Sequence, residues 1–299
     1  MTTGYTSSSP WQVGSGYGAR MAGPVTRTRG LRIDGADVRG REEQLATEEP
    51  LEIRAGDRRL AVTMRTPGAD FELAAGWLHG EGVVTGPEDL RSLRYCTDAD
   101  LEPDERFNVV TAELSGAAAE RVTGLAPRGF VVSSACGVCG RETVADLRAL
   151  GRTLPEPDAD ERLDPGWLAG LPEQLRARQE VFDRTGGLHA AGLFDPYTGT
   201  ALVVREDVGR HNAVDKVIGW ALLGGAPSLT GTVLVVSGRA SFEIVQKALT
   251  AGIPALVAVS APSSLAVDVA REFGMALVGF VRDGRITVYS GEARVALPG

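Results

Sequence analysis

The sequence predicts an α/β protein, in which a carboxyl-terminal domain built on a mixed, largely parallel sheet follows a smaller α+β domain. Three observations carry this. The segments TVLVVS (232–237), ALVAVS (255–260) and MALVGFV (275–281) are short, near-continuous apolar runs, as expected of strands covered on both faces. SFEIVQKALTAG (241–252) and SSLAVDVAREFG (263–274) separate them with helical spacing of apolar residues. Strand, helix, strand, helix, strand with short joins calls for right-handed crossovers and a parallel core.

Taken in order, residues 1–30 are rich in Gly, Ser and Thr and contain no acidic residue, so they read as a disordered leader, with Met21 an alternative start. A small α+β domain is expected over 31–134. LEIRAGDRRLAVTM (51–64) reads as a hairpin about Gly56-Asp57. In ADFELAAGWLHGEG, Phe71, Ala74, Ala75 and Leu78 share a helical face, and FNVVTAEL (107–114) and GFVVSS (129–134) read as strands. Residues 135–180 hold a cysteine loop, a short helix at 143–151 and an acidic, proline-bearing stretch, PEPDADERLDPG (155–166), that reads as a surface connection. The larger domain spans 181–299. It opens with a hairpin, LHAAGLFD (188–195) and TALVVRED (200–207), and a helix, HNAVDKVIGWALL (211–223). Ser241 is the expected N-cap of the next helix, Gly252 and Gly274 close the two that follow, and RITVYS (285–290) is a last strand.

Composition narrows the function. The net charge of −8 and pI near 5.1 argue against a nucleic-acid binder. No run approaches the roughly 20 apolar residues that span a bilayer, so no membrane segment is expected. Three cysteines form no disulfide framework and suit the reducing cytoplasm.

The chemistry concentrates in VVSSACGVCG (131–140), which places Cys136 and Cys139 three residues apart between glycines. Thiols so spaced ligate a metal, cycle through a disulfide, or carry sulfur. Structural zinc needs about two further ligands, for which only Cys96, His79, His189 and His211 are available. A dithiol oxidoreductase pair would open a helix directly, whereas Gly140-Arg141-Glu142 intervenes here. Three readings stand at this point: sulfur transfer, a dithiol oxidoreductase, and a zinc-stabilised binding module.

A second constellation, EDVGRHNAVDK (206–216), crowds Arg210, His211 and Lys216 at the start of a helix, where free N–H groups and the dipole favour an anion. Ser237-Gly238-Arg239 ends the first parallel strand, and ligands of open α/β sheets bind outside such carboxyl ends. Arg239 suits phosphate. His189, in GGLHAAGLF, reads as a core residue or a pocket hydrogen-bonder.

Together with MRTPGADFELAAGWLHGEGVV (64–84), SGRASFEIVQKA (237–248) and GIPALVAVSAPSSLAVDVA (252–270), these motifs resemble the FdhD family, the formate dehydrogenase accessory sulfurtransferases. The resemblance runs from about residue 31 to the end. It implies a cytidine-deaminase-like fold for the larger domain. It also implies a protein that takes persulfide sulfur from a cysteine desulfurase and passes it to the molybdenum cofactor bearing two pterin guanine dinucleotides (Mo-bis-MGD), before insertion into formate dehydrogenase. On that basis Cys136 bears the persulfide and Cys139 is its partner. The nucleotide-binding segment falls on Met275, Ala276, Leu277, Val278, Gly279 and Phe280, with backbone at a strand edge meeting a guanine. A homodimer is implied, and no resident metal. His189 is followed by Ala190 and Ala191, and the cysteine pair lies upstream, so the chain lacks the His-x-Glu and Cys-x-x-Cys order of a zinc deaminase.

Overall fold

A computed structural model describes residues 22–96, 107–123, 147, 154–158, 161–225 and 228–297. The expected strand at 129–134 and the cysteine loop lie outside these residues, as does the expected helix at 143–151 save for Leu147, which is helical and buried.

The apolar runs near the carboxyl terminus become β9 (Val233–Val236), β10 (Ala255–Ala258) and β11 (Ala276–Arg282). β10 pairs in parallel with both its neighbours. The sheet has the order β12-β11-β10-β9-β7-β8, with β7 (His189–Phe194), β8 (Ala201–Asp207) and β12 (Arg285–Ser290) joining antiparallel. It is therefore mixed with a parallel centre, as expected.

Successive side chains of β9 and β10 point to opposite faces, and both faces are filled. Leu234, Val236, Leu256 and Ala258 join one core with Val217, Ile244 and Val269. These come from α5 (Arg210–Trp220), α6 (Phe242–Thr250) and α7 (Ser264–Glu272). Val233, Val235, Ala255 and Val257 join a second core with Leu168, Leu171 and Leu175. Those three leucines belong to α3 (Pro165–Arg176), which the acidic stretch runs into. Asp164 caps α3 by accepting the Trp167 N–H at 2.6 Å, with Pro165 in the first turn. A short α4 (Glu180–Thr185) follows.

The smaller part is a four-stranded sheet of order β4-β3-β6-β5, made of β3 (Glu49–Ala55), β4 (Arg58–Arg65), β5 (Leu90–Tyr95) and β6 (Val109–Leu114). The turn between β3 and β4 falls at Gly56, where φ is +55°. Leu51, Ile53 and Val110 of the sheet bury against Leu73, Trp77 and Leu78 of α1 (Asp70–Gly80), and α2 (Gly116–Thr123) adds Val122.

Ahead of this sheet, β1 (Val25–Asp34) and β2 (Asp37–Ala46) form an antiparallel ribbon that exposes Leu31, Ile33 and Val38. Strand structure thus begins at Val25, within the stretch expected to be a disordered leader. The reason is pairing: Thr and Arg alternate over 26–29, and the ten-residue antiparallel ladder sets Arg29 opposite Glu42 and Arg27 opposite Gln44, polar cross-strand neighbours that need no apolar stripe.

Two helices bind the parts together. α1 crosses α5 so closely that a Cβ at Gly76 would lie 1.9 Å from the Asp215 carbonyl oxygen, and one at Gly219 would lie 1.8 Å from that of Glu72. Around the crossing, Asn212 donates to the Met64 carbonyl at 2.8 Å and accepts from the Thr63 hydroxyl at 3.1 Å. Arg205 grips Glu72 through two bonds of 2.5 and 2.7 Å.

Candidate functional site

The carboxyl ends of β9, β10 and β11 open onto a cavity of about 1060 Å³. His189, Val208, Ser237, Val259 and Val281 line one side, and Arg176, Phe182 and Asp183 of α3 and α4 line the other. This is the place where an open α/β sheet offers a ligand the ends of its strands. A second cavity of about 610 Å³, lined by Trp167, Tyr197, Thr232 and Pro254, sits at the opposite, amino ends of β9 and β10.

Two of the residues singled out in the sequence line the first cavity. His189 begins β7 opposite Asp207. Burial holds its pKa below the usual 6.5, and the charges of Arg210 and His211 add to this, so the imidazole is neutral at pH 7. Ser237 is fastened to the same strand: its hydroxyl accepts the Ala190 N–H at 2.9 Å and its own N–H donates to the Ala190 carbonyl at 3.0 Å. Gly238 lies beside both neighbours, since a Cβ there would sit 3.4 Å from His189 Nδ1 and 3.9 Å from Arg210 Cδ.

Arg210 opens α5 after Gly209, which provides no side-chain cap, and its Nε is buried with no hydrogen-bond partner among the described residues. An unspent donor at a helix start is what an anion would occupy. Arg239, just past β9, is exposed. His189, Ser237, Gly238 and Arg210 are thus brought to one corner.

The other members of the sequence constellation serve the interior. Lys216 is 2 % exposed, and its ammonium donates to Asp207 at 2.7 Å, the Thr66 carbonyl at 2.9 Å and the Glu206 carbonyl at 3.2 Å. All three of its protons are used, so the anion contact expected of it is replaced by a structural one. Asp207, fully buried, also accepts from the N–H groups of Thr66 and Gly209 and from Asn212.

His211 meets Ser241 at 3.3 Å and Glu243 at 3.7 Å. The His211 imidazole beside it holds the Glu243 carboxyl down to about 2, aided by Ser241. Both contacts use the same nitrogen, Nε2, so this group is not a Ser-His-acid relay, which needs both ring nitrogens. Ser241 stands at the N-cap as expected, but its hydroxyl faces His211 instead of capping.

The segment Met275–Phe280 is also differently placed. β11 lies between β10 and β12 and is no edge; its backbone is paired on both sides through Val278. Met275, Ala276, Leu277 and Val278 are buried at 0–1 % exposure. Gly279 is walled by Ser260 and Tyr289. Phe280 alone reaches the surface, half-exposed, with φ +51°, where β11 bulges away from β12 beside Val281. A left-handed backbone at a bulky aromatic is strained.

His79 is spent in the core, with one ring nitrogen on the Val84 carbonyl at 2.8 Å and the other on that of Thr250 at 3.2 Å. Among the described residues, no three His, Cys, Asp or Glu side chains are gathered as a metal site requires. Cys136 and Cys139 lie outside the described residues. Arg176 and Phe182 were not singled out in the sequence. Their signal was the Asp164-Pro165 helix start with Leu168, Leu171 and Leu175 at spacings of three and four.

The sequence profile of the FdhD/NarQ family matches residues 46–296. A sulfur carrier protein FdhD from Streptomyces avermitilis is 50% identical over 277 residues, covering 92% of this chain and 97% of the relative. One from Nocardia farcinica is 51% identical over 276 residues, covering 92% and 96%. A crystal structure from Desulfotalea psychrophila, of a protein assigned as a formate dehydrogenase accessory protein, superposes with a TM-score of 0.66 at 25% identity, covering 91% of this chain and 99% of that one.

Proposed function

The chain belongs to the FdhD/NarQ family, and from that premise we propose that it is a sulfurtransferase serving formate dehydrogenase. Its cargo is the molybdenum cofactor with two pterin guanine dinucleotides, its sulfur source is a cysteine desulfurase, and it works as a homodimer in the cytoplasm. The observation that carries this reading is the extent of the likeness: it spans more than nine-tenths of the chain, and the matched residues 46–296 include Cys136 and Cys139.

In the first step the Cys136 thiolate attacks the outer sulfur of the donor's persulfide. A new S–S bond forms on Cys136, the donor's S–S bond breaks, and the donor leaves as a thiolate. In the second, the Cys139 thiolate attacks the inner sulfur of the Cys136 persulfide. A Cys136–Cys139 disulfide forms and hydrosulfide is released toward the cargo's metal. The two electrons that make sulfide come from the thiol pair, so a cellular dithiol must reduce the disulfide before the next cycle. The cavity at the strand ends supports the cargo assignment. It has the volume for nucleotide-sized groups, and His189 on its wall neighbours the corner that holds the unspent Arg210 donor.

Intact mass spectrometry after incubation with a desulfurase and cysteine tests the reading. One sulfur should be gained on the peptide holding Cys136, and Cys136→Ala should abolish the gain; full maturation of formate dehydrogenase by that variant would refute the assignment. Cys139→Ala should load sulfur but retain it. A dithiol oxidoreductase would instead show a disulfide without any sulfur gain.

A further inference from the structure

The second cavity, of about 610 Å³, lies at the amino ends of β9 and β10, at the far end of the sheet from the site described above, and the proposed sulfur chemistry makes no use of it. Its size is that of a small-molecule pocket. Part of its lining is apolar: the Trp167 indole of α3, the Tyr197 ring in the β7–β8 turn and Leu202 of β8. The indole N–H is spent on the Gly199 carbonyl at 3.2 Å, so the ring has no donor left for a ligand. Tyr197 and Leu202 are among the large apolar side chains that the chain leaves exposed.

Another part of the lining is charged. Arg294 ends the single turn Glu292–Arg294 that follows β12, and it is 8 % exposed. Its Nε donates to the Gly274 carbonyl at 2.7 Å and its Nη2 to the Pro155 carbonyl at 2.5 Å. Among the described residues Nη1 has no hydrogen-bond partner and the guanidinium has no ion pair. A buried guanidinium with an unused nitrogen on a cavity wall calls for an acceptor. Glu156 and Glu161 line the same cavity without supplying one. Glu156 makes no hydrogen bond or ion pair among the described residues, and Glu161 accepts the Asp158 N–H at 3.3 Å and the Tyr197 O–H at 3.5 Å. Burial lowers the Arg294 pKa, and the charges of Glu156 and Glu161 oppose the drop, so the three groups share one field.

That field selects its occupant by charge. A lone anion drawn to Arg294 meets the two glutamates, and a lone cation drawn to the glutamates meets Arg294. A molecule that carries both charges a few bonds apart satisfies both, and an apolar substituent on it has Trp167 and Leu202 to lie against. This is the chemistry of a free α-amino acid.

We propose that the cavity binds a free α-amino acid with an apolar side chain, its carboxylate on Arg294 Nη1, its ammonium between Glu156 and Glu161, and its side chain against Trp167. The proposal is independent of the sulfur-carrier reading and concerns none of the residues of the cavity at the carboxyl ends of the strands.

Calorimetric titration of the full chain with L-leucine, L-methionine and L-phenylalanine tests it. At least one should bind with one site per chain. The methyl ester, which lacks the carboxylate, and the N-acetyl form, which lacks the ammonium, should each bind roughly ten- to a hundredfold more weakly than the free amino acid. Arg294 also ties Gly274 to Pro155, so the substitutions are made at exposed positions instead. Glu156→Gln with Glu161→Gln keeps the shapes and removes the charges, and should weaken the free amino acid about as much as acetylation does while leaving the N-acetyl form unchanged. Leu202→Glu places a charge on the apolar lining and should weaken all the apolar ligands together. A melting temperature within a few degrees of the parent confirms that these variants are folded. A parent protein that binds none of the three amino acids overturns the proposal. So do blocked forms that bind as tightly as the free amino acid, or an affinity unchanged in both the double glutamine variant and Leu202→Glu.

Discussion

At the scale of single residues, two side chains show how environment decides a role. Lys216 and Asp207 form a buried pair: the other protons of Lys216 go to backbone carbonyls, and Asp207 also accepts from two backbone N–H groups and the Asn212 side chain. Truncating one partner leaves the other charged and buried, which costs about 3–5 kcal/mol. Lys216→Ala should therefore lower stability by about that amount in urea unfolding, while Lys216→Met with Asp207→Leu should recover part of it. If the single variant loses less than about 1 kcal/mol, the pair does not fasten Thr66 to the start of α5. His189 acts in the opposite sense, because the fold keeps it neutral. Its folded pKa is lowered by burial and by Arg210 and His211, whereas the unfolded chain titrates near 6.5. As pH falls from 6.5 toward the lowered value, the unfolded state binds more protons and stability drops. His189→Gln should flatten that part of the urea-midpoint profile between pH 7.5 and 5, and an unchanged slope would contradict the assignment. Neither role was legible beforehand. The sequence places Lys216 in a basic cluster, but only the fold sets Asp207, nine residues earlier, against its ammonium.

At the scale of elements, the crossing of α1 and α5 depends on two glycines. Glycine within a helix costs about 1 kcal/mol relative to alanine, so its presence here reflects the packing it permits. A methyl group at either position would overlap a carbonyl oxygen of the facing helix, at 1.9 Å for Gly76 and 1.8 Å for Gly219. The atoms met are backbone and cannot swing aside. Gly219→Ala should thus cost at least the roughly 1–3 kcal/mol of overpacking and lower the yield of soluble protein; a melting temperature equal to the parent's would show that the helices separate freely. Elements of this kind were readable where an apolar period was clean. β9, β10, β11 and the helices between them were legible because burial on both faces leaves runs of Val, Leu and Ala. The β1–β2 ribbon was not legible, because its faces carry Arg, Thr and Glu and no stripe marks a core. α3 was hidden by the acids and prolines ahead of it, and Pro172 interrupts its pattern. The position of β11 inside the sheet could not be read either, since β12 adds to it only through a turn at Asp283-Gly284 whose pairing geometry the sequence leaves open.

At the scale of the whole molecule, these ties bear on how the two parts behave together. Polar contacts between domains ordinarily permit relative motion. Here the contacts are of another kind. The crossing brings backbone against backbone, and the bonds from Thr66 to Asp207, from Asn212 to Met64 and from His79 to the Thr250 carbonyl are buried or nearly so. Asp215, wholly buried on α5, is held by Lys247 at 2.6 Å directly beneath Gly80 of α1. Burial raises the Asp215 pKa and Lys247 opposes the rise, so opening this interface would strip a costly charge of its compensation. Neither core can therefore shed the other cheaply, and the two should unfold in one transition. Tryptophans report on each side: Trp77 lies in the core of the four-stranded sheet, and Trp167 packs against the outer core of the six-stranded one. Variants that keep one of these as the sole tryptophan should give coincident urea midpoints and equal slopes. Midpoints that separate would mean that the smaller part opens by itself. The ribbon and the small sheet would then move independently of the larger sheet and of the cavity at its strand ends.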